Sequence, residues 1–391
     1  MTTVSSAIPV TGVPFPRSEY ERRQLKVLEA IVSARLDALV VSAHGHLRYL
    51  SGYDGSGGYF APFPLILVPG RPPTYVVREY DERAVRAYSC IDEIVTYTHQ
   101  PDFGTVCADV LRRNGLQTKR VGFELGCWNL APADVSALQV QLPDLKIANA
   151  TRLVSSVAAV KSELELQCMR DAMRMTDLAL RTFQSSLRLG VTELEMAETM
   201  AAAIKADAGN VGGDVGMAPP TILFGERTKL PHGPPTHHPI NNNEPAFLEA
   251  GASKHGYTVG MVRCAVLGRH PETESLHDLA EGVIETLVAA IKPGTTAAAV
   301  DAAGHEVLKR SGRQGVFRQR TGYQTGMNWT ERGDLSLEPG VEDVLQAGMT
   351  LHMPNILRSE NGYLFGAGAH VLVTERGGEV LSRTPHTLYR A

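Results

Sequence analysis

Phe247-Leu248-Glu249-Ala250-Gly251-Ala252, followed closely by Gly256-Tyr257-Thr258-Val259-Gly260-Met261-Val262-Arg263, is the stretch whose reading decides the fold. It reads as two apolar strands paired in a hairpin, with Glu249 as the first strand's single charge. A carboxylate between Leu248 and Ala250 is costly to bury unless it is paired or protonated. Three roles are open to it: a structural group held by a hydrogen bond, an anchor for a substrate cation, or a nucleophile toward an amide-like carbon.

Upstream, the pattern divides the chain near residue 158. Leu36–Ser42, Phe63–Val68 and Arg120–Glu124 are short β-rich runs within an alternating α/β domain, residues 1–158. The pattern then turns helical. Ser162-x-x-Glu165 is a capping box, and Leu164, Cys168, Ala172, Met175, Ala179 and Phe183 follow at steps of three and four along one face. Thr192-x-x-Glu195 opens another helix, with Leu194, Ala197, Met200, Ala201 and Ile204 expected to turn inward. Leu187-Arg188-Leu189-Gly190-Val191-Thr192 is echoed by Ile291-Lys292-Pro293-Gly294-Thr295-Thr296, so residues 159–391 read as two halves. Each half gives a helix, Gly-x-Thr, a second helix, then strands. A pocket between such halves would draw on residues distant in sequence.

The hairpin resembles the paired strands on which metallo-aminopeptidases and prolidases carry two aspartates, and the chain is identified as a member of the pita-bread superfamily. The resemblance covers nearly all of the chain. It implies an α/β N-terminal creatinase-like domain plus an α+β pita-bread C-terminal domain with a pseudo-twofold repeat. Of the superfamily's metal ligands only the first acidic position survives, as Glu249. The second falls on Gly260, the histidine on Tyr323 of Thr321-Gly322-Tyr323-Gln324-Thr325-Gly326, and the later carboxylates near Met353 and Gly368. Two divalent cations need several anionic oxygens and usually a histidine, so the expectation is no metal and no cofactor. Leu230-Pro231-His232 and the Gly348-Met349-Thr350-Leu351-His352-Met353 phrase are most similar to the metal-independent branch of creatinase and ectoine hydrolase.

Composition agrees with a soluble enzyme. The 38 basic and 42 acidic side chains give a formal charge of −4, which excludes a basic footprint for nucleic acid and leaves a small polar metabolite as the partner. No apolar run reaches membrane-spanning length, and Met1–Pro16 lacks the layout of a signal peptide, so a cytoplasmic protein is expected. Cys90, Cys107, Cys127, Cys168 and Cys264 are scattered and read as reduced thiols.

His232 is the partner expected for Glu249. It lies in a loop stiffened by Pro231 and Pro234-Pro235, and imidazole titrates near neutrality, so it can pass a proton to a leaving nitrogen. His237 and His238 read as solvent-facing. Tyr323 and His352 can hold a substrate by hydrogen bonds without a cation. The resemblance to ectoine hydrolases implies an acyl-enzyme on Glu249. It also implies substrate contacts from Tyr53-Asp54-Gly55 and Arg78 that reach a neighbouring subunit's site, hence a homodimer. Creatinase's guanidinium-binding carboxylates map to Val262 and Met353, and its substrate-binding arginine near Pro62, which speaks against creatine as substrate. The resulting expectation is a metal-independent hydrolase cleaving a C–N bond in a small polar amide, cyclic amidine or ureido metabolite. A Xaa-Pro-type metallopeptidase with atypical ligands and a non-catalytic metabolite-binding relative are the alternatives.

Overall fold

The computed structural model describes residues 12–54, 61–99, 102–313, 320–331 and 333–391, which form two compact units. The first ends at Ala158 and takes in Glu331 and Gly333; the second holds Ala159–Thr330 and Asp334–Ala391. Gly55, quoted above for its loop, lies outside the described residues.

The first unit is built on a six-stranded mixed sheet. Its order is Glu93–Tyr97, Thr74–Arg78, Leu65–Leu67, Ala38–Val41, Arg120–Phe123, Lys146–Asn149. The strands expected from the runs at 36–42, 63–68 and 120–124 are central here. Ala38–Val41 and Leu65–Leu67 are buried at every position, because helices cover both faces and leave no polar side to alternate with. Helix Phe103–Arg113 adds Val106, Cys107, Val110 and Leu111 to one core cluster, and helix Arg17–Ser33 adds Val27 and Ile31 to the other. Three of the five thiols, Cys107, Cys168 and Cys264, are buried, and all five are free.

In the second unit both capping boxes form. Ser162 and Thr192 each accept from the backbone of the glutamate three residues on, and that glutamate returns a bond to the cap's own N–H. The helices are Glu163–Ser186 and Glu193–Val211. Two inward faces differ from expectation. Leu164 is exposed at the first helical turn, and the second helix buries Glu193, Met196, Met200 and Ile204 while Ala201 faces outward. Glu193 displaces the expected stripe because its carboxylate has buried donors to meet.

The repeat is visible in the backbone. Helix Glu163–Ser186 ends at Leu187 with φ −70° and ψ 113°, and helix Pro271–Ala290 ends at Ile291 with φ −72° and ψ 111°. Gly190 and Gly294 then take positive φ, 80° and 90°, and their N–H groups donate to Ile240 and Leu345, each at 2.9 Å. Thr192 and Thr296 cap the next helices and form isolated bridges to Pro239 and Val344. Each half carries one larger sheet, beside a smaller three-stranded sheet of Val215–Met217, Ala252–Lys254 and Tyr257–Thr258 and a pair of Ile356–Arg358 with Leu364–Gly366. The first larger sheet runs Tyr389–Arg390, Met261–Leu267, Glu244–Ala250, Thr221–Phe224; the second runs Ser336–Leu337, Gly322–Gln324, Thr350–Met353, Ala369–Thr374, Gly377–Val380. Their inner faces meet in one core, where Leu223, Phe247 and Val262 of the first pack with Leu351, Met353 and Val371 of the second. Each fully buried aliphatic side chain there contributes about 1.5–3 kcal/mol, which fixes the register of both sheets.

Candidate active site

Register decides what reaches the pocket. Glu249 pairs with Thr221 on one side and Val262 on the other, so these three side chains share the inner face of the first sheet. In the second sheet Tyr323 pairs with His352, and His352 with His370. A cavity of about 290 Å³ opens here, lined by Thr221, His232, Glu249, Gly251, Tyr323 and Trp329 among others. Three residues expected from the sequence thus line one cavity: Glu249, His232 and Tyr323.

The Glu249 side chain is 15% exposed, and His352 Nε2 lies 3.6 Å from its Oε1, beyond hydrogen-bond length. No hydrogen bond to this carboxylate is formed among the described residues. Its lone pairs therefore face the cavity. His232 stands at the exposed rim with φ 55°, a left-handed conformation that costs a histidine of order 1 kcal/mol or more and persists only where its surroundings impose it. His238, expected in solvent, is half-buried instead: the backbone of Glu193 docks on its carbonyl and draws its ring inward.

Tyr323 is buried, and its Oη accepts the indole N–H of Trp329 at 2.7 Å. Burial, followed by the Glu249 charge, pushes the phenol up to about 12 against the opposing effect of the Trp329 bond. It stays neutral at physiological pH, with its own O–H left to donate. His352 does not line the cavity. Its ring is fully buried beneath, with edge-to-face contacts to Tyr323 and Trp329 at centroid distances of 5.4 Å. It stacks on His370 at 6.0 Å. The expected direct contact of His352 with substrate is corrected by this burial: the side chain supports Glu249 and the two aromatic rings from below.

Sequence reasoning missed Trp329 and His370. Both left signals. Glycines that interrupt or flank strands mark close approach of another group, and a side chain at Gly260 would meet Trp329 at 2.6 Å and His352 Nε2 at 3.1 Å, while one at Gly251 would meet Trp329 at 2.6 Å. His370 is a polar residue on an apolar strand, as Glu249 is. Its Nδ1 accepts the Gly260 N–H at 3.2 Å, so the neutral ring carries its proton on Nε2, 3.0 Å from Thr325 Oγ1. Burial, with the neighbouring His352, holds it well below the ordinary histidine range.

In the first unit, Tyr53 is a core residue, 4% exposed, its ring beside Phe63 and Tyr75. That packing corrects its expected place as a substrate contact. Asp54 is exposed, and Arg78 is paired with Asp81 at 2.6 Å.

The profile of metallopeptidase family M24 matches residues 167–375, and that of the creatinase/prolidase N-terminal domain residues 23–160. The chain belongs to family M24. An uncharacterised hydrolase/peptidase of Sinorhizobium fredii, y4tM, is 29% identical over 96% of this chain and 98% of its own. The ectoine hydrolase of Halomonas elongata is 28% identical over 97% and 98%. Among solved structures, the dipeptidase PepE of Mycobacterium ulcerans superposes with a TM-score of 0.84 at 23% identity, covering 96% of this chain and all of that one. The pita-bread fold and membership of a hydrolase family follow from these matches.

Among its described residues this M24 member does not offer the donors of a dinuclear metal centre. Glu249 pairs across the sheet with Val262, the ladder positions of the second sheet hold Tyr323 and Met353, and Gly368 lies just before strand Ala369–Thr374. Side chains at Gly260 or Gly368 would collide with Trp329 or with the backbone of Val262 and Met353. No group of three His, Cys, Asp or Glu among the described residues could hold a metal ion.

Proposed function

We propose that this M24 protein is a metal-independent hydrolase that cleaves a C–N bond in a small polar amide, cyclic amidine or ureido metabolite. The observation that carries the reading is the lone carboxylate of Glu249, without a hydrogen-bond donor among the described residues, in a cavity that His232 also lines. A Glu249 oxygen attacks the electrophilic carbon and the C–N bond breaks. The departing nitrogen takes a proton from the His232 imidazolium. Water then gives a proton to His232 and hydrolyses the acyl-glutamate, which returns Glu249 as a carboxylate. Tyr323, with Trp329 fixing its oxygen, donates to the substrate. The two aromatic rings and one carboxylate also suit the cationic end of an amidine or ammonium group. Similarity to the ectoine hydrolase over 97% of the chain supports the same substrate class.

The reading includes a cytoplasmic homodimer in which Asp54 and Arg78 complete a neighbour's pocket. Among the described residues no helix is long and apolar enough to cross a membrane. Arg78→Ala should raise the Michaelis constant of such a dimer without unfolding it.

The test is a panel of small amides, amidines and ureido compounds, ectoine and creatine among them, incubated with chelator-treated protein and read by mass spectrometry. Turnover that persists in chelator, with sub-stoichiometric metal and with creatine untouched, is expected. Two tightly bound metal ions per subunit, with activity lost to chelator, would overturn it in favour of a Xaa-Pro-type metallopeptidase.

A further inference from the structure

His232 sits on the chain from Phe224 to Thr236, which leaves strand Thr221–Phe224 through a short 3-10 turn at Gly225–Lys229. An exposed loop with a left-handed histidine would ordinarily be free to relax. Here a single side chain holds both ends. Glu193, the first residue of helix Glu193–Val211, is fully buried. Its Oε1 accepts from the Phe224 N–H at 2.9 Å and from Arg227 Nε at 2.9 Å. Its Oε2 accepts from the Thr236 N–H and the Thr236 hydroxyl, both at 2.9 Å. Arg227 continues across the loop, donating from Nη2 to the Pro234 carbonyl at 2.9 Å. The Glu193 backbone N–H reaches the His238 carbonyl at 3.1 Å.

The far side of the loop is braced independently. Glu226 is bonded to the Tyr363 hydroxyl and to Lys229, whose ammonium lies 4.3 Å from the centre of the Tyr363 ring. With start, middle and end fixed, the turn Leu230–Gly233 closes through the Gly233 N–H on the Leu230 carbonyl at 3.3 Å, and His232 is left at its apex with φ 55°. A buried carboxylate surrounded by donors is stable only while they stay in place, so the strain at His232 is held by a rigid frame.

We infer that Glu193 is a positioning residue for His232: it closes the 224–236 loop into a ring and so aims the imidazole at the Glu249 cavity. This rests on His232 being the proton carrier proposed above. Four variants separate the two ideas: Glu193→Gln, which keeps the shape and loses the charge; Thr236→Val, which removes one donor; and each of these combined with His232→Ala. Turnover is followed with whichever panel compound the chelator-treated protein consumes, and the His232 ring signals are followed by NMR on protein carrying labelled histidine.

Glu193→Gln is expected to lower kcat about tenfold or more, the scale of a misaligned proton donor, with the Michaelis constant nearly unchanged and the His232 signals shifted. Thr236→Val should do the same to a smaller degree. Neither should lower kcat further once His232 is alanine. Equal losses in the His232→Ala background, or unmoved His232 signals in both variants, would overturn the positioning role. His232→Ala turning over at the wild-type rate would instead remove the proton role on which it rests.

Discussion

The two halves of the second unit share a skeleton and differ in what they show to the cavity between them. Helix ends at Leu187 and Ile291 agree within a few degrees, and Gly190 and Gly294 make equivalent bonds. Yet the first half presents groups with unspent bonding capacity: Glu249, without a donor among the described residues, and His232 on a strained loop. The second presents Tyr323, already committed to Trp329, and keeps His370 buried, committed to Thr325 and to Gly260 of the first half. A duplicated frame therefore fixes where a pocket forms, while side chains on one wall keep free bonding capacity and those on the other are held still.

The largest expected break in that asymmetry is Glu249→Gln. A neutral amide is a poor nucleophile of nearly unchanged shape, so turnover should fall by about a thousandfold or more while binding stays measurable by calorimetry. Retained turnover would move the reactive group off the first half. His232→Ala should cost about a hundredfold in turnover; an unaltered rate would count against its role. On the quiet wall, Trp329→Ala should leave chemistry on a bound substrate largely intact but raise the Michaelis constant, and destabilise the fold by about 2 kcal/mol, less than for a fully buried Trp because the indole is half-exposed. Thermal unfolding with steady-state kinetics separates these effects.

The smallest effect lies where the halves meet, at Lys161. Its backbone N–H bonds the Gly348 carbonyl at 3.0 Å, and burial lowers its ammonium to about 8 despite Glu165 and Asp334. Between pH 8 and the ordinary lysine value the unfolded chain binds more protons than the folded one, so this group's contribution to stability rises with pH over that window. Any stability advantage of Lys161→Met measured at pH 7 should therefore shrink by on the order of 2 kcal/mol by pH 10, read as paired denaturant curves. A constant difference would place Lys161 in solvent.

Much of this was legible from local rules. Both capping boxes, the Gly-x-Thr echo and the central strands of the first unit depend on neighbours in sequence, and all appear. Glu249 declared itself because a charge on an apolar strand needs a reason. The same rule applied to Ala369-His370-Val371 would have found His370. Trp329 was harder, since its importance lies in what it fills, and the only local trace is glycine at 251 and 260. The inward stripe of helix Glu193–Val211 was misjudged because tertiary donors at Phe224, Arg227 and Thr236 draw a glutamate inside. Tyr53, expected as a substrate contact, packs in the core, for its phenol ring fills the gap beside Phe63 and Tyr75.

The indole seated over Gly251 and Gly260 also constrains this chain's possible histories. An aspartate introduced at 260 would strike that ring and the His352 imidazole before it could ligate anything, and removing the ring alone would leave a void and a loosened Tyr323. A side chain at Gly260 and loss of the Trp329 ring are thus each expected to cost stability, and the two positions are coupled. In an adaptive landscape the pocket therefore sits behind a ratchet: directed evolution from this chain should find new substrates far more readily than it finds a metal.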